Sequence, residues 1–119
     1  MGIAALLLTV GFLSAAVAPA DVSGVWDLEM VFTSSGATSK GVCKLSQKDG
    51  ELTGTCGTDP VAITGKVDDD KVTWQFQAEQ GGQKHTVIFD GVVEREGATI
   101  KGKCRIVDGH EGTFTATKR

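Results

Sequence analysis

Beyond residue 22 the chain alternates apolar and polar side chains with a period of two, in short runs broken by turn residues, as in Val72-Thr73-Trp74-Gln75-Phe76 and Ile100-Lys101-Gly102-Lys103-Cys104-Arg105-Ile106. That period marks strands with one face on a core and one in water. Eight such runs are expected, over about 24–32, 38–48, 51–57, 61–67, 71–79, 84–94, 98–107 and 111–118. Asp49-Gly50 suits a two-residue type I′ turn, Gly81-Gly82 permits a similar tight hairpin, and Glu96-Gly97 and Asp108-Gly109 supply further positive-φ positions. Every connection is short enough to join antiparallel neighbours, and closing the sheet removes its exposed edges. The pattern therefore predicts an all-β, eight-stranded antiparallel up-and-down (meander) β-barrel, with residues 21–119 as a single domain.

Within these runs seven glycines precede an apolar residue by two positions: Gly24/Trp26, Gly41/Cys43, Gly54/Cys56, Gly65/Val67, Gly91/Val93, Gly102/Cys104 and Gly112/Phe114. Each glycine then lies on the inner wall, where the missing side chain lets strands coil tightly. The fifth run has no such glycine; it carries Trp74, which faces Gly65 if Asp69-Asp70 forms a two-residue turn. By the same parity the inward set is Trp26, Leu28, Met30, Phe32, Leu45, Leu52, Ile63, Val67, Val72, Trp74, Phe76, Val87, Phe89, Val93, Ile100, Ile106 and Phe114. These aromatics either fill the barrel or border a small apolar cavity.

Residues 1–20 are different in kind. They hold no charge, run apolar from Ile3 to Leu13 and end in Ala18-Pro19-Ala20, the small-residue pattern of a cleaved export signal. A retained anchor is the alternative, since the basic start usual in such signals is missing. Cleavage leaves a secreted or periplasmic protein with no membrane segment. Its net charge of −3, with acidic and basic residues interspersed, provides no basic patch for a nucleic-acid backbone. No spacing of cysteine and histidine suits zinc, Asp68-Asp69-Asp70 lacks the rest of a calcium loop, and no phosphate, dinucleotide or nucleophile-elbow motif occurs. Neither a metal nor a cofactor is expected.

Counting outward from the Asp49-Gly50 turn sets Cys43 opposite Cys56 at a non-hydrogen-bonded position, where side chains come closest. In an oxidising compartment the pair is expected to form a disulfide that staples a domain of marginal size. Cys104 then remains as an inward thiol beside Phe89. A nucleophile needs a base, and His85 would fall opposite Asp108 at a barrel mouth, but Cys104 lies about two pairs deeper. Catalysis is the least favoured reading, and a buried small hydrophobe the simplest.

Should a ligand site exist, Gln47, Thr58, His85 and Glu111 are its expected polar groups, gathered at one mouth beside Trp26, Trp74 and Phe89. Outward parity assigns Val25, Val31, Val42, Ile88, Val92 and Val107 to the outer wall. Ile88, Val92 and Val107, on neighbouring strands, are candidates for a homodimer patch, with simple β-propensity as the alternative.

Ser23-Gly24-Val25-Trp26 at the start of the first run resembles the G-x-W motif of the calycin barrels. Further pieces resemble the avidin branch: Asp49-Gly50-Glu51-Leu52-Thr53-Gly54-Thr55-Cys56, Ile63-Thr64-Gly65-Lys66, Val72-Thr73-Trp74, Phe89-Asp90-Gly91, Gly109-His110-Glu111 and Thr113-Phe114-Thr115. The resemblance implies a calycin-like barrel in which Lys118 or Arg119 stacks on Trp26. It does not carry biotin over: Leu28 stands where that branch has asparagine, Cys56 where it has tyrosine and Phe89 where it has tryptophan. Only Thr58, for a serine, and Glu111, for an aspartate, keep comparable chemistry, and a site that has lost its hydrogen-bonding groups loses affinity steeply. The expectation is a secreted, non-catalytic binding protein for a small apolar ligand. An extracellular or envelope interaction module with a filled core is the alternative.

Overall fold

The computed structural model describes residues 20–94, 97–107 and 109–119, apart from the side chain of Gln80. The export-signal reading of residues 1–20 therefore falls almost wholly outside the described residues, as do the expected Glu96 turn position and the partnering of His85 with Asp108. The strands are β1 (Gly24–Phe32), β2 (Thr38–Lys48), β3 (Glu51–Cys56), β4 (Val61–Asp68), β5 (Lys71–Gln80), β6 (Gln83–Glu94), β7 (Thr99–Ile106) and β8 (Glu111–Lys118). Each pairs antiparallel with the next, and β8 returns to β1, so the sheet closes into the expected meander barrel.

Glycine placement explains how so short a chain closes. Gly65 stands between Leu52 on β3 and Trp74 on β5, and Gly102 between Gly91 and Phe114. A Cβ on Gly65 would collide with the Thr73 carbonyl and the Trp74 backbone, and one on Gly102 with the Asp90 carbonyl. The strands thus approach closely beside large inward side chains, as tight coiling of the sheet requires. Of the seven residues that follow these glycines, Trp26, Cys43, Cys56, Val67, Cys104 and Phe114 are buried and Val93 is half-buried.

The turns differ from expectation in one respect. Asp49 has φ 58° and Asp69 φ 61°, while Gly50 is not in the positive-φ region. A type I′ turn needs positive φ at both central residues, so Asp49-Gly50 is not one; Gly81 (φ 61°) and Gly82 (φ 80°) do meet that requirement. Gly97 also has positive φ (76°), whereas Gly109 does not. The register of the second hairpin is unaffected, with Lys48 opposite Glu51 and Cys43 opposite Cys56.

That register forms the disulfide. Gly57 N–H donates to the Val42 carbonyl at 2.9 Å, so the adjacent Cys43/Cys56 pair is the non-hydrogen-bonded one, and its Cα atoms are 4.0 Å apart. Cys104 remains a free, buried thiol. Burial pushes its pKa up, and its Sγ lies 3.8 Å from the Thr113 carbonyl. A protonated thiol donating weakly to a backbone oxygen accounts for it.

The core is nearly the inward set, with five additions: the three cysteines, and Val22 and Ala116, both fully buried. Phe32 and Ile106 are half-buried, as are Met30, Phe76, Val87 and Val93. Apart from Val93, these partly covered residues lie at one end of the barrel.

Candidate functional site

An up-and-down barrel divides its connections between two ends, and here the ends are built differently. At the first end lie the starts of β1, β3, β5 and β7, the turns at residues 49–50 and 69–70, and the C-terminus. The segment before β1 crosses this end as a strap. Ala20 N–H donates to the Asp69 carbonyl at 2.9 Å, Val22 N–H to Gln47 Oε1 at 2.9 Å, and Gln47 N–H to Ser23 Oγ at 3.0 Å. Val22 is inserted fully into the core, and its carbonyl accepts the Trp26 indole N–H at 2.9 Å. Lys118 Nζ lies 5.9 Å from the Trp26 ring centroid, the stacking expected of a closing basic residue. Arg119 instead forks onto Asp27, with its Nη2 2.9 Å from Oδ1. Among the described residues the strap leaves no buried side-chain polar atom without a partner, and Val22 plugs this end.

The second end carries the 33–37 and 57–60 loops and the Gly81-Gly82 turn. Here the inward residues Met30, Phe32, Phe76, Val87 and Ile106 keep part of their surface uncovered. A cavity of about 210 Å³ opens beside Met30 and Phe76, lined also by Leu28, Val42, Val61 and the Cys43–Cys56 disulfide, with Lys40 and Asp59 at its edge. Below it the barrel is filled by aromatics: Phe76 stacks on Phe89 at 6.0 Å, Phe89 on Trp74 at 4.9 Å, and Phe114 meets both edge-on at 5.1 and 5.6 Å. Trp74 is fully buried, and its indole N–H has no hydrogen-bond partner.

The expected polar residues are not gathered at one mouth. Gln47 belongs to the closed end and is spent on the strap, its Nε2 also donating to the Asp49 carbonyl at 3.0 Å. The reason is topological, since the end of β2 lies beside the start of β1. Thr58 is exposed on the loop after β3 and lines an outer-wall groove of about 690 Å³ with Asp27, Glu29, Val42, Thr115 and Thr117. Glu111 is exposed and shares the outward parity of Thr113 and Thr115, because Gly112, Phe114 and Ala116 hold the inner face of β8. His85 does lie at the mouth end, half-buried and opposite Ala78. Trp26 is at the closed end, and Trp74 and Phe89 are buried in the barrel interior without lining the cavity.

On the outer wall Val92 and Val107 are exposed and Ile88 half-buried, with Asp90 between Ile88 and Val92 on β6 and Lys103 paired to Asp90. The cavity-lining residues Met30 and Phe76 carry a signal in their parity; Val61, two residues before Ile63 on the same face, carries it too. Val22 carries none, for it precedes the first alternating run.

Among solved structures the fold is similar to a redesigned β-barrel, with a TM-score of 0.68 and 19% identity over 82% of this chain and 91% of that one. It is similar also to a de novo designed fluorescence-activating β-barrel, with a TM-score of 0.52 and 17% identity over 82% of this chain and 93% of that one. At these identities the likeness is one of fold. No protein-family model and no curated protein matches the chain.

Proposed function

We propose that the chain is an exported, non-catalytic binding protein of calycin-like form that takes a small apolar ligand through the mouth beside the Cys43–Cys56 disulfide. The observation that carries this reading is the cavity of about 210 Å³ with an apolar wall of Leu28, Met30, Val61 and Phe76. An enclosed apolar space of about 150 Å³ is enough for benzene, while drug-sized ligands occupy about 300 Å³ or more, so the expected guest is a single ring or a short branched chain. The disulfide supports export, because such bonds persist in oxidising compartments. Lys118 over Trp26, behind the Gly24-x-Trp26 opening of β1, supports the calycin-like reading.

The test is a titration with toluene followed at the Met30 methyl resonance. A saturable shift in the native chain, lost in Val61→Trp with the fold retained, is the expected result. Absence of any saturable shift overturns the reading.

The outer-wall groove favours a second reading, a protein-interaction module. Its span across β8, β1 and β2 suits an extended segment of a partner chain, and Val92 and Val107 offer a separate apolar contact for a homodimer. Thr115→Arg would then weaken partner association, and Val92→Glu self-association in sedimentation, with the Met30 titration unchanged in both variants.

A further inference from the structure

Of the seven glycines on the inner wall, six are needed where they stand. A Cβ on Gly24, Gly54, Gly65, Gly91, Gly102 or Gly112 would come within 3.0 Å of a neighbouring atom, at all but Gly24 a backbone atom. Gly41 differs, for among the described residues a Cβ there would meet nothing within 4 Å. Its φ is not in the positive region, and the β1/β2 register runs through it without a bulge, from Gly24 opposite Leu45 to Val31 opposite Thr38. Glycine weakens a strand interior and marks a bulge, a bend or a place where another group comes close. At Gly41 there is neither bulge nor packed neighbour, and the missing side chain leaves room on the inner wall.

That room lies where the barrel wall ends early. β2 pairs with β1 as far as Thr38, but with β3 only as far as Cys43 opposite Cys56, after which the Gly57 N–H donates to the Val42 carbonyl at 2.9 Å. The stretch Thr38–Gly41 therefore runs past the end of β3 and borders a notch at the mouth. Lys40, Gly41 and Gly57, with the inward Leu28 and the outward Val42, line both the mouth cavity of about 210 Å³ and the outer-wall groove of about 690 Å³. The two spaces thus adjoin across the notch.

We propose that the mouth cavity and the outer-wall groove are one site, joined past Gly41, for an elongated neutral amphiphile whose apolar end lies in the cavity and whose polar end lies in the groove. This rests on the reading of the mouth as a ligand entrance and adds the length and chemistry of the ligand. The apolar end meets Leu28, Met30, Val61 and Phe76. In the groove Thr58, Thr115 and Thr117 supply hydroxyls that both donate and accept. The charges there are balanced, since Asp27 is paired with Arg119 at 2.9 Å and Glu29 lies opposite Lys40. A head bearing several hydroxyls therefore suits the groove better than a carboxylate or an ammonium. Across β8, β1 and β2 the groove covers two strand spacings, about 10 Å, which is room for one sugar-sized group.

The experiment titrates n-hexyl β-D-glucoside and 1-hexanol, which share an alkyl chain and differ in the sugar, into the full chain with labelled Met, Val and Thr methyl groups. The glucoside is expected to shift Met30 and Thr115 with a single dissociation constant, about tenfold below that of the alcohol, which should shift Met30 and leave Thr115 in place. Gly41→Val should fold with undiminished stability and lose the preference for the glucoside, and Gly41→Ala should keep part of it. Thr115 unmoved, or moving with a different dissociation constant from Met30, overturns the joined site and leaves the mouth reading standing. A native-like preference in Gly41→Val, or loss of folding in both variants, overturns it as well. If neither probe shifts Met30 the joined site falls, and the mouth reading falls with it only if toluene also leaves Met30 unmoved.

Discussion

The two tryptophans of this barrel are equally buried and differently treated. Trp26 is at the closed end, with its N–H bonded to Val22, its ring under Lys118 and the strap fastened around it by Gln47 and Ser23. Trp74 is beneath the mouth, stacked on Phe89, with its N–H unpaired. One end thus spends its polar groups on closure, whereas the other leaves an apolar surface uncommitted. Polar contacts are concentrated where the chain crosses the barrel, and the proposed ligand entrance lies where it does not.

Truncation should expose that asymmetry most strongly. Trp26→Ala is expected to destabilise by about 3–5 kcal/mol in urea unfolding, and Phe76→Ala, starting only partly buried, by about half as much. Equal losses would mean that the mouth is packed as tightly as the closed end. Replacing both Cys43 and Cys56 with alanine should cost about 2–3 kcal/mol, as expected for a cross-link with a sequence separation of 13, and should also weaken toluene binding because the disulfide forms one wall of the cavity.

A subtler pair reads the two indole N–H groups directly. Trp26→Phe leaves the Val22 carbonyl unbonded, whereas Trp74→Phe removes a donor that had no partner. The first variant should therefore be less stable than the second by about 1–2 kcal/mol, measured by thermal unfolding. An inverted order would show that Trp74 is structural and Trp26 dispensable.

The smallest effect belongs to pH. The Ser23 N–H donates to Asp21 Oδ1 at 3.0 Å, and this bond holds the Asp21 carboxyl below its usual value. A depressed folded-state pKa gives stability that is present above the ordinary aspartate range and lost as pH falls from there through the lowered value. The strap amides should accordingly exchange faster as pH drops below about 4 relative to an Asp21→Asn variant, once intrinsic rates are divided out, with no matching change in the mouth amides.

Much of this architecture is legible in the chain. Period-two alternation and glycine turns fix strand order, and with it the opposition of Cys43 and Cys56 and of Gly65 and Trp74. The hairpin register survives a misassigned turn type at Asp49-Gly50, because pairing depends on the two-residue loop length and not on which residue has positive φ. The site is less legible. Val22 precedes any periodic run, so its burial becomes apparent only when the strap is seen crossing the barrel. Gln47 shares the inward parity of Cys43 and Leu45, yet parity says nothing about depth; the strap fixes its role. Glu111 follows the avidin resemblance, while the parity of its own strand turns it outward.

The most direct test of a closed end opposed to a receptive mouth is to locate a bound guest. Intermolecular NOEs from toluene to a methyl-labelled chain should reach Leu28, Met30 and Val61, and none should reach Val22, Leu45 or Leu52. Contacts to Val22, Leu45 or Leu52 without any to Met30 and Val61 would contradict the assignment of the two ends.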